Sequence, residues 1–530
     1  MEADLIIRGA DVYDGTGSPP QRTDIAVTGD RIAAVGDLSG STTKKEVDGS
    51  GLSLSPGFVD MHGHSDFFLM ILPSAEGKIK QGVTTEVGGN CGYSAAPLRG
   101  DVKEDRVESH KELYELDVTW DDFHGFLEAM EKAKPAINYA GQVGFNTVRA
   151  SAGCQGKTHP TSEEMAAMKD MVRESMEAGA LGMSMGLIYP PAAFAETDEI
   201  IEVAKVVAEY DGMASSHIRS EGDVLVEAIQ ESADIAMCAG VRFQVSHLKT
   251  SGPKNWGKLN RVFEIIESAH EEGYRMAADR YPYLASFTQL SASLPEWVYE
   301  DGKEAFLKRI ADPDVRQRIR EEVGGPDLYG DRWDRIVVSQ VMKDGLHEYE
   351  AKPVKECAEM RGMDPVDFVC WLVGEARDRV SATFHTMSTG NLGRIYQKDW
   401  VMVGSDAAVR THSGFLSEGK PHPRAYGTMP RMISWVVREK KWIDLSTAIK
   451  KMTHDPCEMA GIKDRGIIRE GAFADLVLFN PNEVKDTATY EHPQQYPEGI
   501  TMVVVNGKVA VEGGELTGER AGQVLRRDGA

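Results

Sequence analysis

Cysteine is scarce in this chain: six residues in 530, with no Cys-x-x-Cys pair. That excludes a disulfide framework of the kind that staples small secreted domains. No apolar run near the front approaches the ~20 residues of a membrane-spanning helix; Phe67-Phe68-Leu69-Met70-Ile71-Leu72 is the longest there. The opening residues, Met1-Glu2-Ala3-Asp4-Leu5-Ile6-Ile7, carry early acids and do not read as a signal peptide. Basic stripes are missing too. With 59 basic and 83 acidic residues the net charge is −24, which sets aside nucleic acid and describes an acidic surface. Low-complexity tracts and short repeats are absent. Gly88-Gly89-Asn90-Cys91-Gly92 is glycine-rich but lacks the Lys-Ser/Thr of a phosphate loop. The expectation is a cytoplasmic protein with a small-molecule partner, no nucleic acid and no membrane, its homo-oligomeric state open.

What is present is an alternation of short strands and helices, the texture of an α/β fold with a parallel sheet. Eight candidate strands centre on residues 58–64, 84–90, 136–144, 181–187, 213–219, 242–249, 276–283 and 401–406, with helical stretches such as 162–178 and 224–239 between them. Eight such units predict a (β/α)8 TIM-like barrel, and one such barrel with insertions can exceed ~400 residues. Residues 4–55 and the C-terminal stretch read as strands and hairpins punctuated by Gly and Asp. The two ends are expected to pair into a small β-sandwich domain, 1–55 plus 465–530, around a barrel of 56–464. The stretch 287–350 breaks the rhythm and reads as an insertion after strand seven, a candidate lid.

Ligand-type side chains gather where those strands end. His62 and His64 follow the apolar run Phe58-Val59-Asp60-Met61, and residues two apart in a strand face the same way. Cys91 follows strand two, His217 closes strand five, His247 closes strand six and Asp406 closes strand eight. Singly, each has an ordinary explanation: a buried thiol, a structural imidazole, a helix cap. Six of them at the C-terminal ends of strands in one barrel, where active sites lie, point to a metal centre.

The chain resembles the amidohydrolase superfamily, and within it the D-aminoacylase (N-acyl-D-amino-acid deacylase) family. The likeness runs from about residue 4 to about 525. It rests on Pro56-Gly57-Phe58-Val59-Asp60-Met61-His62-Gly63-His64, on the segment 82–92 that ends in Asn90-Cys91-Gly92, on Tyr189-Pro190-Pro191, on Ser216-His217-Ile218-Arg219-Ser220-Glu221-Gly222 and on Pro421-His422-Pro423-Arg424. Many two-metal members bridge their ions with a carboxylated lysine on strand four. Here that strand, Leu181-Gly182-Met183-Ser184-Met185-Gly186-Leu187, has none, and a cysteine thiolate can serve instead.

The resemblance therefore implies Cys91, His217 and His247 around a tightly held Zn2+, with His62, His64 and Asp406 lining a second, weaker or empty position. Asp406 is implied as general base and acid for metal-activated water. Lys249, Tyr281 and Arg424 are implied as the clamp on the substrate carboxylate. Lys249 is also two residues past His247, on the same face if the strand continues.

Two departures from the family pattern bear on specificity. The segment 407–420, with Arg410, His412 and Lys420, is longer than in the D-aminoacylases, and Phe287 stands where the pattern offers a serine. His385, His412, His422 and His454 are left over, with His412 and His422 as pocket candidates. The activity implied is hydrolysis of N-acyl-D-amino acids. The competing readings are a dipeptidase cutting before a C-terminal D-residue, a cyclic-amide hydrolase of the hydantoinase or dihydroorotase type, and a barrel that has lost its reaction.

Overall fold

The computed structural model describes residues 2–156, 159–299, 302–323, 325, 330–527 and 529. A strand occupies each of the eight expected places: Phe58–Asp60, Val83–Gly88, Asn138–Gly141 continued by Val143–Gly144, Gly182–Gly186, Met213–His217, Arg242–Val245, Met276–Arg280 and Val401–Val403. These are strands one to eight below. Every pairing among them is parallel, and they fall into two arcs. Strands one, two and the first half of three form one arc; the second half of three runs through four to seven and ends on eight. Backbone bonds cross both gaps: Leu181 N donates to Gly141 O at 2.9 Å, and Met61 N to Val403 O at 3.4 Å.

These strands are buried on both faces, and they carry buried polar residues such as Thr84, Glu86, Ser184 and Ser215 beside the apolar ones. Helices cover them with apolar residues at three- and four-residue spacing, as Leu225, Ala228, Ile229, Ala233 and Ala236 do in Leu225–Ala239. Their starts are marked by side-chain caps: Thr161 and Glu164 form a capping box on Ser162–Glu177, and Asp122, Asp364, Ser388 and Asp444 cap others. Hydrocarbon packs together along the strands: Leu181 and Met213, where strands four and five begin, and Met402 of strand eight join Met61 and Val87 and meet Met459 and Ala460 of the helix His454–Ala460.

The two ends of the chain share one nine-stranded sheet. Ser53–Pro56 from the front runs antiparallel to Leu476–Phe479 from the back, with Leu54 opposite Leu478. This sheet has its own core, including Ile7, Ile25, Leu54, Leu476 and Val504. The tail then leaves it: Val524–Leu525 pairs in parallel with Tyr139 and Ala140 on strand three.

The excursion between strands seven and eight is larger than 287–350. Its antiparallel sheet is built from Ser286–Gln289, Ile336–Val341 and Val380–Phe384. The helices Val354–Arg361 and Pro365–Glu375 bury Val354, Phe368 and Leu372 with Trp333, Ile336 and Val380 in a separate core. An amphipathic pattern shows that a helix has an apolar face, not which core receives it, so the boundary at 350 falls short. Among the described residues, no helix is long and apolar enough to cross a membrane.

Candidate metal centre

The six predicted ligands meet at the C-terminal ends of the strands. His62, His64, Cys91 and Asp406 each offer one donor atom, all within 4.8 Å of one another, and Cys91, His217 and His247 do the same. Cys91 belongs to both groups. Its Sγ lies 3.3 Å from His62 Nε2, 3.6 Å from His247 Nε2 and 3.9 Å from His217 Nδ1. Asp406 Oδ1 is 3.1 Å from His64 Nε2 and 3.6 Å from His62 Nε2.

The backbone is bent to achieve this. Three of the six, Cys91, His247 and Asp406, sit in the left-handed region at φ of 53°, 39° and 51°. Non-glycine residues there cost about 1–3 kcal/mol each and persist only where surroundings force them. Strand one ends at Asp60, so His62 and His64 are not on a strand. Their convergence comes from cross-links instead: Gly63 N donates to Val87 O at 2.9 Å, Asp406 N to His62 O at 2.8 Å and His64 N to Ala407 O at 3.2 Å. A Cβ on Gly63 would collide with the Glu86 carboxyl, and one on Gly92 with the Asn146 side chain. Those two glycines let the ligand-bearing turns lie close against Glu86 of strand two and Asn146 of the helix Phe145–Ser151.

Beneath the turns lies a fully buried ion cluster. Lys78 Nζ is paired with Asp60 and stands 3.1 Å from Glu86 Oε2; it also donates to Ser405 Oγ at 2.9 Å and Ala407 O at 2.8 Å. Ser405 and Ala407 flank Asp406. Glu86 Oε1 accepts from Ser65 N at 2.9 Å, just past His64. One ammonium thus ties the turn bearing His62 and His64 to the turn bearing Asp406.

Electrostatics follow from the crowding. Burial pushes the Cys91 thiol up, but His62, His217 and His247 outweigh it and hold it well below the usual thiol range. Burial likewise raises Asp406, and Arg424, His247 and His64 pull it well below a normal carboxyl. Arg424 Nη1 is 2.8 Å from Asp406 Oδ2. Burial disfavours the His62 imidazolium, yet Asp279 and Cys91 raise it well above its ordinary value.

Two carboxylates behind the donor cluster, Glu221 of the segment 216–222 and Asp279 of strand seven, have no role assigned from the sequence. Asp279 Oδ2 lies 3.0 Å from His62 Nδ1, and its Oδ1 accepts from His247 N at 3.0 Å. Glu221 Oε1 is 3.0 Å from His247 Nδ1 and is ion-paired with Lys249. Carboxylates in this place fix the ring orientation and tautomer of metal-binding histidines. Asp279 was findable, since it stands next to last in strand seven, at the end where the other site residues gather. Glu221 lies in a loop after strand five, where no periodicity applies.

The expected clamp residues are also here. Lys249 is buried, with Nζ 2.9 Å from His247 Nδ1. Strand six stops at Val245, so Lys249 reaches that place through the left-handed turn at His247 rather than by strand alternation. Tyr281 is fully buried, and its hydroxyl has no partner; Arg424 Nε has none either. Burial raises the Tyr281 phenol, but Lys249, Arg280 and Arg424 outweigh it and bring it below its usual range. The Arg424 guanidinium lies 4.7 Å from the Tyr281 ring centre and 5.9 Å from that of Phe287. Buried donors without acceptors are rare and mark a place for a polar ligand.

The leftover histidines divide. His422 accepts from Arg424 N at 3.0 Å through Nδ1 and faces Ala285 O with Nε2 at 3.0 Å, so it is a neutral ring that holds Arg424 in place. His412 is exposed and bonded to Tyr496 OH at 2.9 Å, away from the donor cluster. His385 packs against Tyr490, with ring centres 4.7 Å apart. His454 groups with Asp455 and Glu458 on the helix that closes the strands' opposite end.

This geometry, with a thiol shared between two donor sets, is that of a metal-dependent hydrolase. A model described as Amidohydrolase family matches residues 45–511, and the chain belongs to that family. Within the family its likeness is to the D-aminoacylases. It is 34% identical to D-aminoacylase of Alcaligenes xylosoxydans xylosoxydans, over 99% of this chain and 98% of that one. A solved D-aminoacylase, described by one-metal activation and second-metal attenuation of its binuclear centre, superposes with a TM-score of 0.83 at 34% identity, covering 99% of this chain and 100% of its own. The N-acyl-D-glutamate deacylase of Bordetella bronchiseptica, solved with zinc and a phosphonate mimic of the tetrahedral intermediate, gives 0.83 at 32% identity, with 99% and 100% covered.

Proposed function

We propose that this protein hydrolyses the amide bond of N-acyl-D-amino acids, releasing a carboxylic acid and a free D-amino acid. The observation that carries the proposal is the shared thiol: Cys91 completes both donor groups. A thiolate with imidazoles and one carboxylate is a zinc donor set. Cys91, His217 and His247 would hold a first, tightly bound zinc, and His62, His64 and Asp406 a second, weaker one. Zinc bound there supplies a Lewis acid and a water that ionises near neutral pH.

The chain's own groups do the rest. Asp406, kept anionic by Arg424 and His64, takes the water's proton at a carboxylate oxygen and later delivers it to the leaving amine. Lys249, Tyr281 and Arg424 hold the substrate carboxylate, and the idle hydroxyl of Tyr281 and the idle Nε of Arg424 support that role. A guanidinium suits a carboxylate because its N–H fork matches both oxygens. The preference for the D-enantiomer follows the activities for which the relatives above are named.

The architecture proposed around this site is a closed (β/α)8 barrel of 56–464, capped by a β-sandwich from 1–55 and 465–530. The bonds that bridge strands three to four and eight to one support closure. The excursion between strands seven and eight serves as a lid, since its Phe287 reaches Arg424 and its Ser339 O accepts from Lys420 N at 2.8 Å.

The test is a chiral panel, the N-acetyl-D and N-acetyl-L forms of Met, Leu, Phe and Glu, with and without added zinc. Dipeptides ending in a D-residue and a hydantoin are added as controls. Zinc-dependent release of amino acid from the D-forms alone is expected. Failure on every D-substrate, or preference for the dipeptide or the ring, would overturn the proposal.

A further inference from the structure

We propose that Tyr93, Ile188 and Tyr189 form a wall that binds the acyl portion of the substrate, so that the protein favours medium-chain N-acyl groups over N-acetyl. This rests on the deacylase function proposed above and names the substrate class within it.

The argument begins with the direction in which a substrate must lie. Lys249, Tyr281 and Arg424, which hold its carboxylate, follow strands six, seven and eight. Cys91 follows strand two, and the residues at 187–190 follow strand four. In the sequence of neighbours these are opposite sides of the site. A secondary amide is trans, so the acyl chain and the amino-acid Cα leave the C–N bond in opposite directions. With the carboxylate end fixed toward strands six to eight, the acyl chain heads for the turns after strands two and four.

Those turns carry large apolar side chains left open to solvent. Tyr93, two residues past Cys91, is 42% exposed, and Ile188 is 37% exposed. They are continuous with the donor cluster. The Tyr189 ring centre lies 4.9 Å from that of His217, and the Tyr93 ring centre 6.0 Å from that of Tyr189. Tyr93 is not a loose side chain. Its hydroxyl donates to Pro190 O at 3.0 Å, which ties the side chain to both turns. A tyrosine anchored by its polar tip, with its ring open beside a reactive site, suits an apolar ligand with little ordering cost. An acetyl group ends at the cluster and leaves this surface wet. A chain of several methylenes reaches past Tyr189 and covers it.

The test is a single series on one amino acid: N-acetyl-, N-butanoyl-, N-hexanoyl- and N-octanoyl-D-methionine with the zinc-loaded protein. kcat/KM is expected to rise about three- to fourfold for each methylene that is covered, and then to level off. In Tyr93→Ala and in Ile188→Asp the octanoyl-to-acetyl ratio of kcat/KM should fall about tenfold or more. A general loss of structure lowers both substrates together and leaves that ratio alone. Turnover of N-acetyl-D-methionine with a flat or falling series, or a ratio unchanged in both variants, overturns the wall and leaves the deacylase standing. No turnover on any member, together with none on the D-panel above, overturns the deacylase, and the wall with it.

Discussion

The two ends of the eight strands are built on opposite principles. At the start, Leu181, Met213 and Met402 pack as hydrocarbon, against a helix that brings Met459. At the finish, a thiol, four imidazoles and a carboxyl crowd within bonding distance, three of them on left-handed backbone. One end gains stability by removing apolar surface from water. The other spends it on strain and on buried charge. The difference teaches where each kind of mutation should be felt, and four substitutions sharpen it or break it.

The largest effect is expected from Asp406→Asn. Turnover should fall about a thousandfold or more, as when a proton-transfer group is lost, while bound zinc measured by plasma emission stays near wild type. Loss of zinc in step with activity would instead make the residue chiefly a ligand. Next is Lys78→Met, at the base of the same end. Removing one ion from a buried cluster costs about 3–5 kcal/mol of stability. Because Lys78 holds both flanks of Asp406, kcat should also fall about 10- to 100-fold in the fraction that remains folded, with KM little changed. A stability loss with kcat intact would reduce Lys78 to ordinary support.

Met213→Ala tests the other end. Met213 is fully buried, and such truncations cost about 2–5 kcal/mol. Melting should drop accordingly, while kcat of the folded protein stays within about twofold. The smallest effect concerns Lys451, whose Nζ donates to Val401 O at 3.0 Å where strand eight begins. Burial lowers its pKa from 10.5 to about 8, against the opposing pull of Asp455 and Asp399. Between those values the unfolded chain keeps a proton that the folded chain has lost, so Lys451 makes stability rise with pH across that interval. Lys451→Met should flatten that part of a Tm–pH profile and leave the pH dependence of kcat/KM unchanged.

Much of the finish end was legible in the sequence. The spacing His62-Gly63-His64, and the single Cys, His or Asp placed after strands two, five, six and eight, needed only the rule that such folds do chemistry where strands end. The start end was legible only as strands, because a methionine facing inward and one facing a helix look alike. What escaped notice was cooperative. Asp279 and Glu221 act through histidines far from them in sequence, and Lys78 through two backbone turns that only the fold brings together. The 287–350 boundary failed for a related reason: Phe368 and Val380 belong to a second core, and a helical period does not name the core it serves.

The central claim is that the Cys91 thiolate is a metal donor of this centre. Cobalt(II) substitution tests it most directly, because thiolate-to-cobalt charge transfer absorbs in the near ultraviolet and imidazole or carboxylate ligation alone does not. One equivalent of cobalt in the wild-type protein should produce that band together with activity, and Cys91→Ser should abolish both while Cys457→Ser keeps them. A band that survives in Cys91→Ser, or active cobalt protein without one, would contradict the account.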